Sequence, residues 1–218
     1  ELARRVGISA PAVYLYFRDK EALMLALCDQ TFAHRAQPLD VRVQPQQLVV
    51  GVARVEEAAR PGASTAELDA LAEQLIRTAG AASNFKGYHG FPATICISID
   101  AEVVHGIPGD REIKEGSLVS VDAGAIWEGW HADAARTFYV GEAPAAVAML
   151  IASTRAALDA GIAVARPGAT IEEVSGAIED VAAAAALGVV RPFVGHGIGR
   201  AMHEAPQVPN YRTGRKSL

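Results

Sequence analysis

The chain of 218 residues is 50% hydrophobic, 6% aromatic and 21% charged, an ordinary globular composition for one domain or two small ones. Its formal net charge of −5 excludes a generic nucleic-acid coat, because nonspecific binding to phosphates needs a positive excess. Apolar stretches such as the alanine-rich run Val181 to Leu187 fall short of the ~20 residues that span a bilayer, so no membrane partner is expected. Cys28 and Cys96 are the only cysteines, which leaves no disulfide framework and fits a reducing, cytoplasmic setting. The chain starts at Glu1 with no basic-then-apolar leader, and it reads as a fragment.

Residues 1–35 read as helical throughout, and strand-like alternation begins only after residue 90, which places a boundary between them. Gly7 interrupts an opening helix over Glu1 to Val6, Ser9 caps a second running to Phe17, and Asp19 caps a third through Phe32. The stretch Ala36 to Gln47, with Pro38 and Pro45, supplies the linker. The chain thus divides into 1–36, a linker over 37–46, and a second part over 47–218 that holds the acidic excess. The segment ELARRVGISAPAVYLYFRDKEALMLAL resembles the DNA-binding domain of the TetR family of repressors. This resemblance, over residues 1–33, implies DNA as a partner, a groove helix over Ala10 to Tyr16 that carries Tyr14 and Tyr16, and Lys20 near a phosphate. The family's first helix is absent and no ligand-binding helical domain follows. Tyr14, Tyr16 and Phe17 serve equally well as core and cap residues of a small helical piece, which alone would bury little apolar surface.

The second part contains an internal repeat. Ala59-Arg-Pro-Gly-Ala-Ser-Thr-Ala-Glu-Leu68 aligns with Ala165-Arg-Pro-Gly-Ala-Thr-Ile-Glu-Glu-Val174 at a constant offset of 106, and Glu73/Glu179 and Leu75/Val181 obey the same offset. Each copy has a Pro-Gly turn, then Ser or Thr with Glu three residues on, the pattern of a reciprocal helix cap. An amphipathic helix follows, with Leu68, Leu71, Leu75 and Ile76 on one face in the first copy. Two related half-domains are expected. In the first, alternating Ile95, Ile97 and Ile99 precede a turn at Gly106 to Asp110, and the runs Leu118 to Ile126 and Trp130 to Val140 join through Trp127-Glu-Gly into a hairpin. The offset places a partner for Asp122 near position 228, past the last residue, so part of any shared site is expected to be cut away.

Asp122 lies in the otherwise apolar run Leu118-Val-Ser-Val-Asp-Ala-Gly-Ala-Ile, where a lone buried carboxylate costs several kcal/mol unless paired or neutralised. Asp133 follows on the return strand, near enough for both carboxylates to face one point. His196, flanked by Gly195 and Gly197, adds a nitrogen, and an O,O,N set suits Mn, Co, Fe or Zn. Taken singly, an acid placed like Asp122 is more often a turn or edge acid and a histidine placed like His196 more often a hydrogen-bonded core residue; the combination, with Gly195 and Gly197 letting backbone crowd the site, reverses that and points to a metal site.

Residues 47–218 resemble a type I methionine aminopeptidase. The matching stretches are Gly87-Tyr-His-Gly-Phe-Pro92, Glu102-Val-Val-His-Gly-Ile-Pro-Gly-Asp110, Val121-Asp-Ala-Gly124 with Trp130-His-Ala-Asp133, and Gly195-His-Gly-Ile-Gly-Arg-Ala-Met-His-Glu204. The resemblance implies an α+β fold of the pseudo-symmetric creatinase or pita-bread type, incomplete at the C-terminus and preceded by a short all-α helix-turn-helix piece. It implies two divalent ions, with Asp122 chelating one, Asp133 bridging both and His196 completing the first. His105 and His203 would contact the substrate, polarising the scissile carbonyl or steadying the tetrahedral intermediate. Tyr88, Phe91, Cys96 and Met202 match positions near the methionine side-chain pocket, whose soft apolar character suits a thioether; plain packing serves those four nearly as well. Two metal-binding glutamates of the family belong beyond Leu218. Asp100 replaces the family's usual asparagine in a loop that helps hold a monovalent cation.

Three readings follow. The leading one is a metal-dependent aminopeptidase that removes N-terminal methionine from peptides or nascent proteins, weak or inactive in a chain lacking the two glutamates. In the second, a regulator binds DNA through residues 1–33 and uses the peptidase-like part for sensing or association. The third keeps the fold with a proline-directed substrate.

Overall fold

A computed structural model describes residues 45–214. The helices expected over residues 1–32, with Tyr14, Tyr16 and Lys20, lie outside the described residues. The described residues open with α1 (Pro45–Ala58), so the last residues assigned to the linker are helical, and continue with α2 (Thr65–Thr78), β1 (Ala82–Ser83), a short 3₁₀ turn (Tyr88–Gly90) and β2 (Ile95–Ile99). Next come β3 (Leu118–Trp127), β4 (Trp130–Tyr139), α3 (Ala145–Val164), α4 (Ile171–Ala184), β5 (Gly195–Gly197) and β6 (Glu204–Val208).

The fold is organised around β3. One of its edges pairs along its whole length with β4; the other is shared end to end by β2 and β1, all antiparallel. The β3–β4 connection is tighter than the three-residue turn expected. Trp127 pairs directly with Trp130, leaving Glu128 and Gly129 as the two turn residues. Both have positive φ, 49° and 75°, the type I′ geometry whose twist matches that of the flanking strands.

Side chains alternate across a strand, so the register sorts the sheet into two faces. Ile95, Ile97, Ile99, Val119, Val121, Ala123, Ala125, Ala134 and Phe138 share one face and pack on Val52 and Val55 of α1 and Leu68, Ala72 and Ile76 of α2. Arg136, on this face opposite Val121, reaches Glu56 of α1 at 2.7 Å. The buried stripe of α2 is Thr65, Leu68, Ala72 and Ile76; Leu71 and Leu75, expected on it, are only half-buried flanks. The opposite face begins apolar, with Leu118 and Tyr139 against Val147, Leu150, Ala182, Leu187 and Val190 of the second half, and becomes polar along the strands. β2, expected to show alternating burial, is buried on both faces.

The repeat is visible in the helices. α2 and α4 are both 14 residues long, and in each the N-cap hydroxyl (Ser64, Thr170) accepts from the N3 amide while the N3 carboxylate (Glu67, Glu173) accepts from the cap amide. Gly62 and Gly168 sit at φ 87° and 89°, and the residues after the helices, Gly80 and Ala186, at 74° and 55°. Beyond the helices the halves diverge: where the first half builds its four-stranded sheet, the described part of the second forms the ribbon β5–β6. α3 is long and apolar enough to cross a membrane by length and composition, although Thr154, Arg155 and Asp159 break its apolar run. In this fold its Val147, Leu150, Ala157 and Leu158 are buried, packed in the two clusters it shares with α4.

Ser64→Ala and Thr170→Ala are each expected to cost about 1 kcal/mol, and the double variant close to the sum, because the caps lie in separate half-domains; urea unfolding at pH 7 measures this. Hydrogen bonds from the caps hold Glu67 and Glu173 below their usual carboxylate range. That contribution is present above the unfolded-state pKa and is lost as the pH falls through the lowered folded value.

Candidate functional site

Asp122 pairs with Ala135, and Asp133 with Gly124. Since residues 122 and 124 share a face, the two aspartates are diagonal neighbours on it, about 7–8 Å apart between Cα atoms. This is the face turned away from α1 and α2. Asp122 and Asp133 are each 3% exposed, and Oδ1 of Asp122 is buried without a hydrogen-bond partner. Cys96, opposite Asp122 on β2, is buried on the same face, as is the hydroxyl pair Ser120–Thr137, at 2.8 Å. Hard carboxylate oxygens on a buried face, one lacking any donor, are chemically suited to a divalent cation. Among the described residues, no group of three His, Cys, Asp or Glu side chains is assembled to hold a metal.

The structure places His196 in a row of histidines. Its ring lies 4.2 Å from that of His203, and its Nδ1 is 2.9 Å from the Gly197 carbonyl oxygen. His203 in turn stacks on Tyr88, centroids 5.9 Å apart, with the Tyr88 hydroxyl 3.2 Å from its Nδ1. His203 is exposed, yet partial desolvation by its neighbours holds its pKa down, and the fields of His196, His105 and His89 lower it further. Burial also lowers that of His131, against the opposing pull of Glu204. The lowered pKa values favour the neutral form of both rings, which can donate an N–H without bringing a competing positive charge. Of the pocket candidates, Tyr88 is exposed at the edge of the histidine row, Phe91 is half-buried and Met202 half-buried beside His203. The Phe91 ring meets Phe85 edge-on at 6.5 Å.

Local chain geometry explains how His105 is held. It has φ 59°, a left-handed conformation that costs a residue with a Cβ of order 1 kcal/mol or more. The next residue anchors the loop to β2: the Ile97 amide donates to the Gly106 carbonyl at 2.9 Å, and the Gly106 amide donates to the Ser98 hydroxyl at 3.0 Å. His89, also left-handed at φ 47°, joins the row from the 3₁₀ turn. Asp100, at φ 54°, accepts from the Leu118 amide at 2.9 Å, a local use of its carboxylate at a position where an asparagine would also be tolerated.

Three participants were not singled out from sequence. His89 and His131 stand inside quoted motifs but carried no assigned role. Asn84, 4% exposed, donates to the Ala132 carbonyl at 3.3 Å and occupies the space a side chain at Gly124, opposite Asp133, would fill. A glycine inside a strand is the available signal, since it marks close approach of another group. Gly106→Ala is expected to displace the His105 loop and lower stability, because a methyl there would overlap the Ile97 carbonyl; chemical denaturation, together with the His105 ring resonances, checks both effects.

Residues 46–217 match the model of metallopeptidase family M24, and residues 1–27 that of bacterial regulatory proteins of the tetR family. A methionine aminopeptidase of Clostridium acetobutylicum is 49% identical over 163 residues, 74% of this chain and 65% of the relative. The chain thus spans about two thirds of that relative's length. Among solved structures, methionine aminopeptidase from Thermotoga maritima aligns with TM-score 0.75 and 31% identity, covering 94% of this chain and 74% of the other. The one from Rickettsia prowazekii aligns with TM-score 0.74 and 35% identity, covering 79% and 68%. The architecture shared with them is the α+β pita-bread fold expected from the repeat and motifs. With a match extending from α1 past β6, the chain belongs to metallopeptidase family M24.

Proposed function

We propose that this protein is a metal-dependent aminopeptidase that removes N-terminal methionine from peptides or nascent proteins. The observation that carries the reading is the pair of buried aspartates on one sheet face, one with an oxygen lacking any hydrogen-bond donor, in a chain whose family is a metallopeptidase family. Asp122, Asp133 and His196 would hold divalent cations, two in number and drawn from Co, Mn, Fe or Zn; further donors would complete the set. Bound there, such ions supply Lewis acidity and lower the pKa of water. The loop at Asp100 is the proposed place for a monovalent cation.

The chain's own residues bind and orient the substrate. His203, its neutral form favoured by partial desolvation and its histidine neighbours, presents an N–H where negative charge grows on the scissile carbonyl oxygen, and His105 contributes a second polar contact from its fixed loop. Tyr88 sets the ring orientation of His203 through its hydroxyl. Cys96, Phe91, Met202 and the Tyr88 ring line the space for the methionine side chain, whose thioether favours soft and aromatic contacts. The buried face excludes water around the carboxylates and so strengthens each electrostatic contact.

Calorimetric titration with Mn or Co should show binding that Asp122→Asn weakens strongly. The same substitution should raise the melting temperature of the metal-free protein, since it removes a buried charge lacking full compensation. Methionine release from Met-Ala-Ser should depend on added metal, fall about 10²–10³-fold in His203→Ala, and exceed release from Pro- or Leu-initiated peptides in a panel. Absence of both metal binding and methionine release overturns the reading.

A second reading has its own support in the tetR-family match of residues 1–27: sequence-selective DNA binding through Tyr14, Tyr16 and Lys20. Binding that weakens steeply with salt and disappears on deletion of residues 1–40 supports it. Peptidase activity and metal binding unchanged by that deletion, with no DNA retained by the full chain, count against it.

A further inference from the structure

We propose that Arg200 and Trp130 form a clamp between the two halves of the fold that positions His203. The inference rests on the proposed function for the importance of His203, though the clamp itself stands on geometry.

The segment 199–204 is a tight loop braced from within. The Gly199 amide donates to the Ala201 carbonyl at 3.1 Å, the Ala201 amide donates to the Glu204 carboxylate at 2.7 Å, and that carboxylate lies so close over Gly199 that a Cβ there would stand 2.9 Å from it. A loop tied to itself in this way moves as a unit, so its orientation is decided by what holds its outer end. At that end the guanidinium of Arg200 lies 3.9 Å from the centroid of the Trp130 ring, and Nη1 donates to the Glu128 carbonyl at 3.1 Å. The His131 amide donates to the Gly199 carbonyl at 2.8 Å. The turn is cut to admit the contact: a Cβ at Gly129 would sit 3.0 Å from Nη1 of Arg200.

Both partners stand three residues from a proposed site residue. Trp130 begins the strand that carries Asp133, and Arg200 precedes His203 in the braced loop. The clamp therefore ties the carboxylate-bearing hairpin of the first half to the imidazole of the second. Planar stacking plus a directed N–H is what a guanidinium provides and a lysine does not. Arg200 is exposed, so its replacement removes the clamp without opening the core.

Arg200→Ala, Arg200→Lys, Trp130→Ala and Trp130→Phe are compared in the full chain by two readouts: histidine ring ¹H–¹⁵N spectra of the metal-free protein, and the kcat and KM of methionine release with added metal. Arg200→Ala and Trp130→Ala should each shift the His203 ring signals and lower kcat about 10–100-fold with KM changed less than about threefold, as expected when a transition-state contact is misplaced. The double variant should be no worse than either single one, Trp130→Phe should recover most of the loss, and Arg200→Lys should not. His203 signals unmoved in both alanine variants overturn the clamp, whether or not the chain shows activity. Full activity in His203→Ala would instead overturn the catalytic reading of His203 and leave the clamp to be judged on the spectra.

Discussion

The register between β3 and β4 is the constraint on which the site depends. A strand has two faces, and a slip of one residue exchanges them. Shifted by one, β3 would turn Asp122 toward Leu68 and Ile76 and expose Val119, Val121 and Ala123 on the polar face. The packing of these side chains with Val52, Val55 and Leu68 therefore does more than stabilise the half-domain: it determines which way the carboxylate points. The two-residue turn at Glu128–Gly129 contributes from the other end, because a type I′ connection allows only one alignment of Trp127 with Trp130.

The second half contributes polar chemistry of a different kind. Its helices repeat the caps and turns of the first, but its described strands make a narrow ribbon, and from β5 and the loop before β6 His196 and His203 come beside Tyr88 and the neighbouring His89 and His105. Desolvation lowers the pKa of both His203 and His131; for His203 the neighbouring histidines lower it further, while for His131 Glu204 pulls the other way. The carboxylates lie on the sheet face, and the histidines lie on the ribbon and the loops. In the proposed function the carboxylates would favour a cation and His203 would offer an N–H to a developing anion.

Two of the histidines are held in strained backbone. His89 and His105 adopt left-handed conformations, and for His105 the compensation is explicit in the bonds that Gly106 makes to Ile97 and Ser98. A strained residue held between hydrogen-bonded neighbours has few alternatives, and a side chain projecting from it is correspondingly well placed.

Much was legible from spacing alone. The offset of 106 residues anticipated two helices with the same cap, and Ser64 with Glu67 and Thr170 with Glu173 form it because a capping box involves only neighbours along the chain. The hairpin was likewise accessible, but the shared face of Asp122 and Asp133 was not: a three-residue turn over Trp127 to Gly129 would pair Ile126 with Trp130 and set the two aspartates on opposite faces, and only the two-residue turn brings them onto one. What neighbours along the chain could not reveal was the choice among long-range partners. Leu71 looked as suitable for the core as Ala72 until the sheet selected a stripe, and the apolar α3 became a packed helix only through its contacts with α4. Asn84 filling the space above Gly124, the histidine row, and Arg200 lying on Trp130 all join segments far apart in sequence. Local pattern determined which elements form and which faces they present; the docking of one half against the other, a matter of shape and burial, decided which of those faces meet.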